Sequence, residues 1–141
     1  MSTQTNGALP NIFPSLYYRD AAAAIEWLVR VFGFTKRMSV DGENGSILHS
    51  ELSLGPGVIM VGTVKPERGC LSPLDLAGVN QGLCVRIADP DAHFAHAKAA
   101  GAEITRELQD EEYGSRGYMA KDLEGNTWYF GTYQPGAYWT E

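Results

Sequence analysis

The chain has 141 residues, of which 44% are hydrophobic, and a formal net charge of −6 at pH 7. That length suffices for one well-buried core, or for two small halves sharing one. The acidic balance argues against a nucleic-acid partner, which needs a basic face for phosphate, and no apolar run is long enough to span a bilayer.

Residues 1–9 are small and polar and are expected to form a flexible N-terminus; they lack the basic and apolar regions of a signal peptide, so a cytoplasmic protein is expected. Ile12–Tyr18 mixes aromatic and aliphatic residues and reads as a strand with Pro14 near its start. Asp20 has the chemistry of a helix N-cap. Ala21–Val31 follows as a helix, with Ile25, Leu28 and Phe32 on one stripe, Trp27 off it, and Gly33 as the stop. Phe34–Val40 reads as a strand, and Asp41-Gly42-Glu43-Asn44-Gly45 as a turn. Ser46–Leu54 alternates. Leu48, Ser50, Leu52 and Leu54 fall on one face, and His49, Glu51 and Ser53 on the other. After the Gly55-Pro56-Gly57 turn, Val58–Val61 is a short buried strand.

Residues 63–78 carry Pro66, Gly69, Pro73 and Gly78 without periodicity and read as a connector. Gln81–Ala88 is a strand with Leu83, Val85 and Ile87 opposite Gly82, Cys84 and Arg86. Asp89 caps a second helix, with Pro90 at its first position and Gly101 at its end. Ala102–Glu107 is a strand, and an acidic loop with Asp110-Glu111-Glu112 comes next. The last hairpin has strands at Gly117–Lys121 and Thr127–Thr132 around Asp122-Leu123-Glu124-Gly125-Asn126, where Gly125 meets a need for positive φ. Trp128 and Phe130 share one face of its second strand; Thr127, Tyr129 and Gly131 share the other. Residues 135–141 form a tail with Tyr138 and Trp139.

The organisation repeats. Residues 10–62 and 79–134 each spell strand, capped helix, glycine stop and three further strands. The predicted fold class is therefore α+β, two βαβββ modules with curled mixed sheets. No phosphate loop, dinucleotide glycine pattern or GxSxG elbow is present. The two cysteines form neither a CxxC motif nor a disulfide framework, and Cys84, inside an apolar run, reads as a small buried hydrophobe.

The polar strand faces supply the candidate site. His49 and Glu51 point the same way and can anchor a ligand, with His49 as a possible acid or base. Arg86 lies on the non-core face of its strand, where a guanidinium can hold a carboxylate or phenolate, or pair with Glu51. Arg116, in Gly114-Ser115-Arg116-Gly117, can gate a pocket or stay an exposed turn residue. Tyr17, Tyr118, Tyr129 and Phe13 can form aromatic walls, although Phe13 reads better as packing. His93 and His96 lie at i, i+3 on the second helix; no acid completes a metal set, so both read as solvated. The acidic run can attract a cationic ligand or simply meet water.

These features together resemble the vicinal oxygen chelate superfamily, which groups glyoxalase I, extradiol dioxygenases and bleomycin-resistance proteins. The matching stretches are Asp20-Ala-Ala-Ala-Ala-Ile with Phe32-Gly33-Phe34, Asp89-Pro-Asp-Ala with Ala100-Gly101-Ala102, Tyr113-Gly-Ser-Arg-Gly-Tyr118 and Asp122-Leu-Glu-Gly-Asn-Thr-Trp128. The resemblance implies the glyoxalase/bleomycin-resistance fold, with four metal-ligand slots inside the cups of metal-dependent members. Those slots fall on Phe13, on Glu51 beside His49, on Gly82 and on Tyr129. Three of them lack a good donor, so no metal and no cofactor is expected. The resemblance then implies a metal-free binder of a small aromatic or cationic molecule, of the antibiotic-resistance sequestration type, working as a homodimer. The alternatives are a metal-dependent lyase, isomerase or dioxygenase of the same fold, with a metal at His49 and Glu51, and a non-catalytic interaction domain.

Overall fold

The computed structural model of the chain describes residues 10–140; the stretch expected to be flexible, 1–9, lies outside them. The described residues form two compact units that divide between Leu76 and Ala77. In the first unit β1 (Ser15–Tyr18), α1 (Ala21–Trp27), β2 (Thr35–Asp41), β3 (Ile47–Leu54) and β4 (Gly57–Thr63) follow in order. The second holds β5 (Gly82–Arg86), α2 (Pro90–Ala99), β6 (Glu103–Asp110), β7 (Arg116–Lys121) and β8 (Thr127–Gly131). The sheets have orders β1-β4-β3-β2 and β5-β8-β7-β6. In each, the strand before the helix pairs in parallel with the last strand, and the other pairs are antiparallel. The expected βαβββ plan and mixed sheets are therefore present in both units.

The helix starts are set by their caps. The Asp20 carboxylate accepts from the Ala23 N–H, and that of Asp89 from the Ala92 N–H, each at 3.0 Å, satisfying a donor the first turn leaves open. α1 does not run on regularly to Val31. Its last turn, Leu28–Phe32, widens to a π-helical turn before Gly33 ends it at φ 88°. The widened turn directs Leu28, Val31 and Phe32 inward together, all fully buried. Trp27 is half-buried, its ring edge-on to Phe32 at 4.8 Å.

The first unit's core fills the space between α1 and the sheet, from Leu16, Tyr18, Leu52, Ile59 and Val61 on the strands. One expected core residue moves. Val40 pairs with His49, but the next residue, Asp41, pairs with Ile47, so β3 carries a bulge at Leu48. Ile47 is 6% exposed and takes the inward position; Leu48 is 54% exposed.

The second unit packs Tyr118, Ala120, Trp128 and Phe130 against α2. Here two further expectations are corrected. His93 is not a solvated helix residue. Its ring lies 4.3 Å from that of Phe130, and its Nδ1 is 2.7 Å from the Tyr118 hydroxyl. Pro90, His93, Phe94 and Ala97 fall at i, i+3, i+4, i+7, so a polar letter occupies one slot of the inward stripe. Cys84 is exposed rather than buried, because β5 turns Leu83 and Val85 inward and Cys84 with Arg86 outward.

The turn joining β7 to β8 is built on one carboxylate. Asp122 Oδ1 accepts from the N–H groups of Glu124, Gly125 and Asn126 at 3.0–3.1 Å. Its Oδ2 accepts from Asn126 Nδ2 and Trp128 Nε1. Gly125 has φ 106°, open to glycine at little cost.

Candidate functional site

In each unit the helix covers one sheet face, and the candidate residues divide between the two faces. In the first unit the register places Ser15, Met60, Glu51 and Met38 in one row across the sheet, and beyond it pairs Tyr17 with Gly62 and His49 with Val40 in the next rows. These rows lie opposite the buried Leu16 and Leu52 and so face away from α1. Tyr17, His49 and Glu51 therefore share one face. His49 Nε2 lies 3.1 Å from Glu51 Oε2, both side chains half-exposed. Beside them is a cleft of about 70 Å³ lined by Ser15, Tyr17, His49, Met60, Gly62 and Lys65, among others.

The connector supplies the cleft's rim, which sequence reasoning missed. It holds two short 3-10 turns, Pro66–Arg68 and Pro73–Asp75. Backbone bonds between Lys65 and Cys70 close a loop, and an ion pair between Arg19 and Asp75 ties the connector to the end of β1. Lys65 Nζ sits 5.7 Å from the centre of the Tyr17 ring. A hydrogen bond with the Cys70 thiol, then burial, raises the Tyr17 phenol above its ordinary range, while the charge of Arg68 acts in the opposite sense. The phenol therefore stays neutral at physiological pH. Only the run of turn residues marked this segment in sequence, and that signal says nothing about where its side chains go.

In the second unit the face away from α2 carries Cys84, Arg86 and Tyr129, with Cys84 beside Tyr129 and Arg86 beside Gly131. The Tyr129 ring folds back over a cross-strand glycine pair, Gly117 and Gly131. A Cβ at either glycine would stand 2.4 Å from the Tyr129 hydroxyl. The hydroxyl is buried and has no hydrogen-bond partner among the described residues. Burial is the largest cause that pushes this phenol up to about 12, and Tyr113 and Glu111 add to it. Arg106 reaches over the same ring, 5.8 Å from its centre, and is held there by an ion pair with Glu111. Tyr113 is 64% exposed and meets Tyr133 edge-on at 5.5 Å. Arg106, Tyr113 and Tyr133 were not singled out from the sequence; a strand bulge between Ile104 and Arg106 breaks the alternation that would have placed Arg106.

Two candidates lie on the helix side and are corrected. Tyr118 is fully buried between the sheet and α2, where desolvation raises its phenol, so it forms no wall of an open site. Arg116 opens β7 rather than sitting in a turn. It donates to Asp91 on α2 at 2.9 and 3.0 Å and to Asp110 at 3.1 Å. These two carboxylates raise its pKa further and hold it away from the opposite face. The acidic run is also no field of free charge, since Asp110 pairs with Arg116 and Glu111 with Arg106.

The residues present do not suit a divalent metal. His49 and Glu51 supply two donors, and Gly82 supplies none. Tyr129 keeps its proton at neutral pH, since its pKa is pushed up to about 12, and a neutral phenol is a poor ligand. Among the described residues no three of His, Cys, Asp and Glu come together.

Comparison with known proteins gives one family. The profile of the glyoxalase/bleomycin resistance protein/dioxygenase superfamily matches residues 11–130. The structure of TioX from Micromonospora sp. ML1 superposes with a TM-score of 0.71 at 36% identity, covering 89% of this chain and 99% of that one. An enzyme of the same family from Burkholderia phytofirmans PsJN gives a TM-score of 0.66 at 20% identity, over 84% and 94% of the two chains. An uncharacterized protein from Mycobacterium bovis, Mb0911c, is 29% identical over 125 residues, 86% of this chain and 82% of its own length.

Proposed function

Since the chain belongs to the glyoxalase/bleomycin resistance protein/dioxygenase superfamily, we propose that it is a binding protein of that fold that holds a flat aromatic molecule without a metal. The observation that carries this reading is the tyrosine group of the second unit. Tyr129 has its hydroxyl buried while the residue as a whole is only half-buried, so its exposed area belongs to the rest of the residue rather than the hydroxyl. Tyr113 acts on its phenol electrostatically and meets Tyr133 edge-on, and Arg106 is fixed over its ring. Tyrosine faces and a guanidinium plane stack well on planar ligands, and two rotatable bonds per tyrosine keep the entropy cost low. The cationic arm of the expectation has less support, because internal arginines neutralise two of the three acids in 110–112. Sequestration of this kind, as in antibiotic resistance, needs shape and stacking and no catalytic group. The same reading has the protein acting as a homodimer, which light scattering on the eluted protein tests.

Fluorescence titration of the full chain tests the ligand class. Proflavine, a planar cation, and anthraquinone-2-sulfonate, a planar anion, should both bind; cyclohexylamine should not. Tyr113→Ser should weaken both planar probes by about tenfold, the order expected for one lost stacking contact. Equal response to cyclohexylamine, or none to either planar probe, would sink the reading.

A further inference from the structure

We propose that the cleft of the first unit is an anion subsite, which takes a carboxylate or comparable oxyanion at Lys65. The proposal goes beyond the aromatic-binding reading and stands on the first unit alone.

Size comes first. The cleft, at about 70 Å³, has room for a carboxylate-sized group but falls well short of the ~300 Å³ at which drug-sized pockets begin. Ser15, Tyr17, His49 and Lys65 bring polar groups to its lining, which suits a charged or hydrogen-bonding group rather than an alkyl chain.

Charge decides the sign. Lys65 lines the cleft half-buried and makes no ion pair among the described residues. Its nearest described partner is the Tyr17 ring, which a cation attracts only modestly at a half-exposed site. Arg68 does not line the cleft, but its charge reaches Tyr17, one of the cleft's walls. The acid in the neighbouring row, Glu51, has His49 Nε2 as its partner at 3.1 Å. Tyr17 is neutral and adds a wall without adding charge. An acidic protein thus keeps, among its described residues, a lysine without an ion pair at the edge of a small polar hollow. A ligand oxyanion there would gain charge-assisted hydrogen bonds, about twice as strong as neutral ones, and would cost little desolvation at a half-exposed lysine.

The test uses the full ¹⁵N-labelled chain and three probes of one shape: benzoate, benzyl alcohol and benzylamine. Benzoate should bind most tightly and benzylamine not at all, with amide shifts centred on Gly62 and Lys65. Lys65→Met keeps the aliphatic stem over Tyr17 and removes the charge; it should weaken benzoate by about tenfold. Lys65→Arg should restore most of that loss. Unchanged melting temperatures would show that both variants fold. Equal binding of benzoate and benzyl alcohol, full benzoate affinity in Lys65→Met, shifts centred elsewhere, or no benzoate binding would each overturn the proposal. Proflavine titrated into the unsubstituted chain separates the two readings. Absence of a proflavine response with benzoate shifts intact defeats the aromatic-binding reading alone, and the reverse pattern defeats the anion subsite alone.

Discussion

The carboxylate of Asp122 accepts hydrogen bonds from three backbone N–H groups, one side-chain amide and one indole, and it is 5% exposed. Hydrogen bonds to a charged acceptor contribute about 1.5–3 kcal/mol each when removed singly, though not additively. Asp122→Ala should therefore cost about 3–5 kcal/mol, visible as a fall in urea midpoint with the slope unchanged. Tyr129 poses the opposite case. Its hydroxyl is buried without a described partner, so Tyr129→Phe should be neutral or stabilise by up to about 1 kcal/mol in the same assay. The substitution should also alter the alkaline limb of stability. The folded pKa, about 12, lies above the ordinary 10.0, so the stabilisation is fully present below pH 10 and is lost as pH rises toward 12. Tyr129→Phe should flatten that decline, leaving the part that comes from the other raised phenols, Tyr118, Tyr17 and Tyr133. A decline of unchanged steepness would mean that the Tyr129 phenol titrates normally. Residue identity alone pointed to Asp122 as a turn former, since its turn is local in sequence. It did not reveal the orphaned hydroxyl, because burial of that atom depends on Arg106 and on the two glycines across the ladder.

At the scale of elements, the β7–β8 ladder was the most legible part of the chain. Its turn residues, alternation and aromatic content all agree, and the strands fall within a residue or two of expectation. The glycine pair in this ladder has a consequence for packing. A Cβ at Gly131 would stand 2.7 Å from the Arg116 carbonyl oxygen as well as against Tyr129. Gly131→Ala should thus cost about 2 kcal/mol through overpacking. Truncating Tyr129 to Ala should not restore it, because the backbone contact remains; a double-mutant cycle with near-complete rescue would contradict this geometry. Bulges were the elements that sequence hid. The bulge at Leu48 exchanges Ile47 for Leu48 in the core, and the one before Arg106 alters which residues of β6 face Tyr129. Both letters in the first pair are apolar, so hydrophobic patterning has no means of choosing between them. The helices show the same limit. His93 lies in an inward slot of α2 because the helical period puts it there, and it is accommodated by the Tyr118 hydroxyl and the Phe130 ring.

For the molecule as a whole, the donor chemistry leads to a plain expectation. Zn²⁺, Ni²⁺, Mn²⁺ or Fe²⁺ added to the full chain should leave its melting temperature unchanged, since a ligand that binds only the folded state would raise it. A clear rise with any one ion would place a third donor where none gathers among the described residues. Local patterns of residues were enough to establish the repeated βαβββ plan, both caps, the glycine stops and the closing turn, because each of these depends on neighbours close together in the chain. They were also enough to put His49 and Glu51 on a shared face, which needs only the two-residue period of a strand. Three-dimensional packing settled the rest of the site. It turned Tyr118 and Arg116 to the helix side, joined Arg106 to Glu111 over Tyr129, and laid Lys65 against Tyr17. Each of these depends on register, bulges and loop paths that bring residues of different elements together, and no local pattern of letters encodes them.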